Sequence, residues 1–248
     1  MKNRENELTK KYVKDIKSAD VWSVFKIIAD FVKGFDELGD LGPTVTIFGS
    51  ARTKEDNKYY EDAKNLASQL AANGYNVMTG GGPGIMEAAN RGAYEHKDVE
   101  SIGLNIDLPF EQELNPYTTK ELTFDYFFSR KVMLVKYSMA YVIFPGGFGT
   151  LDELFEALTL VQTRKVTGVK IFVIGSDFYQ PLLDFIATKL VPSGMIDEND
   201  LDIIQLTDDL ELVVRDIATS LNTQIEVLKE VGLEETGYFK SLSSLQKK

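Results

Sequence analysis

The chain has 248 residues, 44% of them apolar and 26% charged, and carries a formal net charge of −11. That length supports one sizeable core, and the charge opposes broad attraction to nucleic acid polymers or anionic membranes. Zero cysteines exclude disulfides and cysteine nucleophiles, while a single histidine, His96, argues against a histidine-built zinc site or a Ser-His-Asp triad.

Residues 1–18 are densely charged and read as loosely ordered, without the apolar segment of a signal peptide. No apolar run reaches the roughly 18 residues that span a bilayer, so the cytoplasm is the expected compartment. Val21, Trp22, Val24, Phe25, Ile28, Phe31 and Val32 recur at helical spacing and predict an amphipathic helix. Gly42-Pro43 punctuates the chain before a first strand at 44–48. Strands and helices then alternate: helix 57–73 closed by Gly74, strand 75–79, the turn Gly80-Gly81-Gly82-Pro83-Gly84 and helix 85–95. Strand 101–105, an irregular stretch 108–120 and a strand around 122–124 follow, then helix 129–138, strand 140–144 and helix 151–162. Strand 170–174, helix 178–190 and a C-terminal helix from Asp208 complete the pattern. Short apolar strands separated by helices predict an α/β fold, a Rossmann-like doubly wound parallel sheet with helices on both faces. The expected division is an N-terminal helical extension (1–42) and a nucleotide-binding catalytic domain (43–248), with ligands at the carboxyl ends of the strands.

Three glycine-bearing turns follow strand ends: Gly49-Ser50-Ala51-Arg52, Gly80 to Gly84, and Gly146-Gly147-Phe148-Gly149-Thr150. In a parallel sheet all three share one edge and can converge. None is a GxGxxG dinucleotide fingerprint or a P-loop. Glycines admit close backbone approach, and the free N–H groups of a helix start bind anions. A carboxylate beside such a turn, Glu153, would repel a phosphate, so it has a different task, and a nucleotide is large enough to engage both. Arg130 and Lys131 open a helix although cations oppose the macrodipole there. Either they are a solvated pair or form a salt bridge with an acidic residue, or Arg130 holds a ligand through its forked guanidinium. Asp152 has an alternative role in complementing the helix dipole, and Glu87 shares that ambiguity. The polar, aromatic stretch from Leu108 to Tyr117 reads as a substrate-covering loop or a plain connector.

The run Pro145-Gly-Gly-Phe-Gly-Thr-Leu-Asp-Glu153 resembles the PGGxGTxxE signature of the LOG family of cytokinin riboside 5′-monophosphate phosphoribohydrolases. Arg130-Lys131 stands ahead of it as the family's Arg-Lys pair does, and Phe48-Gly49-Ser50 and Gly80 to Met86 are similar to its other nucleotide-contacting turns. The extra N-terminal helix resembles the longer bacterial branch. The resemblance implies a Rossmann-like homodimer that hydrolyses the N-glycosidic bond of a nucleoside 5′-monophosphate, either a cytokinin riboside monophosphate or AMP, to free base and ribose 5-phosphate. It implies that Glu153 and Arg130 are catalytic. It also implies that Gly146, Gly147, Phe148, Gly149 and Thr150 hold the phosphate, and that Lys131, Glu111, Gly49, Ser50, Gly81, Gly82 and Met86 contact substrate. No cofactor and no metal are expected. The "lysine decarboxylase" label often attached to such proteins finds no pyridoxal motif here. Two alternatives share the fold: a general purine and pyrimidine nucleotide 5′-monophosphate nucleosidase, and a non-catalytic nucleotide-binding protein similar to molybdenum-cofactor carriers. A pure binder has no need of a carboxylate beside its anion turn.

Overall fold

The computed structural model describes residues 21–108 and 115–247. The expectations for residues 1–18 and for Glu111 fall outside the described residues. The apolar periodicity around Trp22 forms α1 (Val21–Leu38), which precedes the sheet. The alternating pattern becomes β1 (Thr44–Phe48), α2 (Lys58–Ala72), β2 (Asn76–Thr79), α3 (Ile85–Tyr94), β3 (Ser101–Ile106) and β4 (Lys120–Phe124). It continues through α4 (Phe127–Lys136), β5 (Ala140–Ile143), α5 (Phe148–Gln162), β6 (Lys170–Val173), α6 (Ser176–Phe185), β7 (Ile204–Leu206), α7 (Leu210–Glu230) and α8 (Gly237–Leu242). All sheet pairings are parallel, in the order β4-β3-β2-β1-β5-β6-β7. The doubly wound, Rossmann-like sheet expected from the alternation is therefore present.

The order explains where a ligand can go. The chain winds outward from β1 through β4, then returns to lay β5 against the other side of β1. At that reversal the loops leaving β1 and β5 diverge to opposite faces and open a crevice at their carboxyl ends. Strand residues alternate between two cores. Val45, Ile47, Val77 and Val142 pack under α2, α3 and α7. Met78, Ile102, Tyr141 and Ile143 pack under α1, α4, α5 and α6.

Local chemistry sets the boundaries. Asn57 caps α2 by accepting from the Tyr59 N–H at 2.9 Å. Gly74, at φ +86°, closes the helix with Gly74 N–H to Ala71 O and Tyr75 N–H to Leu70 O, the bond pair of a Schellman termination. Two expectations need correction, and one strand was not expected. Helix α5 begins at Phe148, not Leu151, so Gly149 and Thr150 lie in its first turn and Asp152 and Glu153 beyond it. Glycine weakens a helix interior but is tolerated at its start. Helix α4 begins at Phe127, two residues early, and β7 is a three-residue edge strand too short to show a period of two.

Candidate active site

The three glycine turns meet at the reversal point. Ser50 donates its N–H to the Pro145 carbonyl at 3.0 Å, and Ile85 donates its N–H to the Ser50 carbonyl at 3.0 Å. These two bonds join the turns after β1, β2 and β5. Gly84 has φ +71°, and a Cβ there would lie 2.3 Å from the Ser50 carbonyl oxygen, so no other residue fits. Above the joined turns lies a cavity of about 780 Å³ walled by Ser50, Met86, Arg130, Thr150 and Glu153, with Phe127 on one side. A smaller cavity of about 340 Å³ opens at the amino ends of the strands, but Glu37, Asp40, Asp98 and Glu100 line it. Those carboxylates, set against Lys120 as the one cation in the described lining, disfavour a phosphorylated ligand.

The start of α5 has no side-chain cap, and Gly147 stands at its N-cap position. Its first N–H groups therefore have no intrahelical acceptor and border the cavity. A Cβ at Gly147 or Gly149 would meet nothing within 4 Å, so protein packing does not demand glycine at either. Gly146 differs, because a Cβ there would lie 2.1 Å from the Thr150 hydroxyl. Phe148 is 94% exposed at the rim.

Arg130 lines the cavity from α4. Its Nε is buried without a hydrogen-bond partner, and among the described residues no ion pair holds it. Burial lowers its pKa, opposed by the charge of Glu153. The guanidinium lies over Gly80, where a Cβ would sit 2.3 Å from a terminal nitrogen. Glu153 is pushed up to about 7, chiefly by burial, against the pull of Arg130 and Lys131 and with help from the like charges of Glu156 and Asp152. A desolvated carboxyl within electrostatic reach of a buried guanidinium, lining one cavity with free backbone N–H groups, can bind an anion and exchange a proton near neutrality.

The expected site residues separate into two sets. Glu153, Arg130, Gly147, Phe148, Gly149, Thr150, Gly49, Ser50 and Met86 all line this cavity. Lys131 does not. Its ammonium pairs with Asp152 at 3.0 Å and Glu156 at 2.6 Å, tying α4 to α5. Gly81 and Gly82 are buried and do not line the cavity; Gly81 N–H donates to Thr79 Oγ1 and Asn115 Nδ2 donates to the Gly82 carbonyl. Glu87 accepts from the Tyr60 hydroxyl at 3.0 Å and links α3 to α2. His96, at the end of α3, lies 3.0 Å from the Ser68 hydroxyl. Sequence reasoning left Arg52 and Phe127 unassigned, yet both line the cavity. Arg52 carried a usable signal, two positions after Ser50 in a strand-end turn. Phe127 carried none, because its exposure depends on the start of α4.

The family model described as "Possible lysine decarboxylase" matches residues 86–217. An Arabidopsis thaliana protein named cytokinin riboside 5′-monophosphate phosphoribohydrolase is 29% identical over 159 residues, covering 63% of this chain and 72% of that protein. An Escherichia coli K12 protein named pyrimidine/purine nucleotide 5′-monophosphate nucleosidase is 26% identical over 161 residues, covering 60% of this chain and 35% of that protein. The structure of the molybdenum cofactor carrier protein from Chlamydomonas reinhardtii shares the fold, with a TM-score of 0.51 at 20% identity over 73% of this chain and 99% of that one. Pyridoxal chemistry, which the family description would imply, needs a lysine amine for its Schiff base, and no lysine lines the cavity among the described residues. The family model spans more than half the chain and the signature turn stands on the cavity wall, so the chain belongs to the LOG family, whose model carries the lysine decarboxylase description.

Proposed function

We propose that the protein hydrolyses the N-glycosidic bond of a nucleoside 5′-monophosphate, adding water across the bond to give free base and ribose 5-phosphate. The observation that carries this reading is Glu153, a desolvated carboxyl pushed up to about 7 that lines the same cavity as the uncapped, glycine-rich start of its own helix. The names of the Arabidopsis and Escherichia coli relatives describe this reaction class. The substrate class is a cytokinin riboside monophosphate, AMP or another nucleotide.

Cleavage passes through a cationic, oxocarbenium-like sugar. The free N–H groups from Gly147 to Thr150 hold the phosphate, and that remote binding places the anomeric carbon. Glu153, as the carboxylate, stabilises the developing positive charge and takes a proton from the attacking water, whose oxygen bonds to the anomeric carbon. Arg130 offsets the negative charge that develops on the departing base, which leaves with the proton that Glu153 took from the water, so that Glu153 returns to the carboxylate. Gly49, Ser50 and Met86 shape the far wall. Lys131 contributes by holding Asp152 and Glu156 in place.

The same reading takes the protein as a cytoplasmic homodimer whose catalytic domain runs over residues 43–248, preceded by a helical extension. No helix among the described residues is long and apolar enough to cross a membrane. The test is incubation with AMP, GMP, CMP and isopentenyladenosine monophosphate, with free base and ribose 5-phosphate resolved by chromatography. Base release is expected, and its ranking defines the preferred base. Nucleotide binding without base release would overturn the hydrolase reading in favour of a carrier.

A further inference from the structure

Helix α1 lies outside the residues matched by the family model, yet it contains a carboxylate that is 4% exposed, Asp30. Asp30 Oδ2 accepts the Asp125 N–H at 2.9 Å, the Tyr126 N–H at 3.1 Å and the Ser129 hydroxyl at 2.7 Å. Those groups form the entry to α4, whose own N-cap residue, Tyr126, makes no side-chain cap. A capping box ordinarily takes its acceptor from the N-cap side chain. Here a second helix supplies the acceptor.

Other contacts hold α1 in register for this. A Cβ at Gly34, one turn after Asp30, would lie 2.7 Å from Met133 Sδ, so the glycine lets α1 approach α4 closely. Lys33 pairs with Asp30 at 3.3 Å, bonds the Thr123 carbonyl and lies over the Phe124 ring. The Phe31 and Phe128 rings lie tilted against each other, 6.4 Å between centroids. Arg130 follows Ser129 directly, in a cationic helix start that the macrodipole disfavours. Among the described residues no hydrogen bond secures its Nε. Its position therefore depends on the backbone of that first turn.

We propose that Asp30 is a positioning residue for the reaction: by capping α4 from α1 it fixes the turn that aims Arg130 into the cavity. The N-terminal helix is then part of the catalytic apparatus, although none of its residues lines the cavity. Asp30 lines no part of the cavity and acts through Ser129 and the backbone N–H groups of residues 125 and 126, with Lys33 as its ion-pair partner.

This rests on the proposed hydrolase activity, and the test separates the two. Base release from AMP is measured for the full-length wild type, Asp30→Ala, Asp30→Asn, Ser129→Ala and the exposed control Asp36→Asn, with folding checked by circular dichroism. Loss of positioning is expected to lower kcat for Asp30→Ala by about 10- to 100-fold, with KM within about threefold. Asp30→Asn keeps an acceptor oxygen and is expected to recover most of kcat. Ser129→Ala should lose part of it, and the control none. Global destabilisation would not produce this kcat-selective loss with conservative rescue. A folded Asp30→Ala with kcat within about twofold of wild type would overturn the proposal, as would equal losses in Ala and Asn. If Asp30→Ala does not fold, a fully active Ser129→Ala overturns it and a kcat-selective loss there supports it. A wild-type chain that releases no base removes the activity reading, and the proposal with it; an active wild type matched by its variants removes the proposal alone.

Discussion

Two neighbouring groups of opposite charge set the chemistry through what each lacks. Arg130 is buried without an ion pair among the described residues, and Glu153 is desolvated enough to reach about 7. Glu153→Gln keeps the shape and removes the charge, so kcat should fall by about 10³-fold while AMP affinity, measured by calorimetry, changes little. If Glu153 works as the carboxylate, kcat/KM should rise with pH through a limb near 7, and the rise should vanish in the Gln variant. The same shift acts on stability. A carboxyl whose pKa is raised by folding binds its proton more tightly in the native state, so stability falls as pH climbs from about 4.5 to 7 and stays lower above it. Glu153→Gln should therefore melt higher than wild type at pH 8, by about 2–6 °C, with the gap closing near pH 4.5. Glu153 was recognisable from its spacing to the glycine turn. Its desolvation was not, because that depends on packing by residues distant in sequence.

Single glycines decide how the strand-end turns fit together, and they divide by what surrounds them. Gly84 combines φ +71° with the Ser50 carbonyl 2.3 Å from a would-be Cβ. Gly84→Ala should cost about 2–4 kcal/mol, read as a lower urea midpoint. Gly149 has open space around a would-be Cβ and sits in the first turn of α5. Gly149→Ala should leave stability unchanged or raise it by up to about 1 kcal/mol, while raising KM for AMP about tenfold as the methyl enters the phosphate's space. Opposite outcomes at two glycines would separate architecture from ligand approach. Both turns were legible as glycine clusters following apolar runs. The start of α5 at Phe148 was not, because glycines at 147 and 149 mask a helix whose true onset is set by docking on β5.

For the whole molecule, the strand order places the site at the reversal between β1 and β5, and a helix outside the sheet braces it through Asp30. The proposed homodimer should elute with twice the chain mass in light-scattering chromatography; a monomeric mass at micromolar concentration would remove that part of the reading. The amino-acid order by itself determined the alternation of strands and helices, the turns at their carboxyl ends and the signature from Pro145 to Glu153, because these depend on local periodicity, on glycine's missing side chain and on fixed spacing. Only the tertiary structure decided that Lys131 is spent on Asp152 and Glu156 while Arg130 has no ion pair among the described residues, that Gly81 and Gly82 are buried and do not line the cavity, and that Asp30 caps the entry to a helix that begins at Phe127. Those outcomes depend on which charges and N–H groups are brought within hydrogen-bonding distance after folding, and adjacent residues such as Arg130 and Lys131 carry no local signal of it.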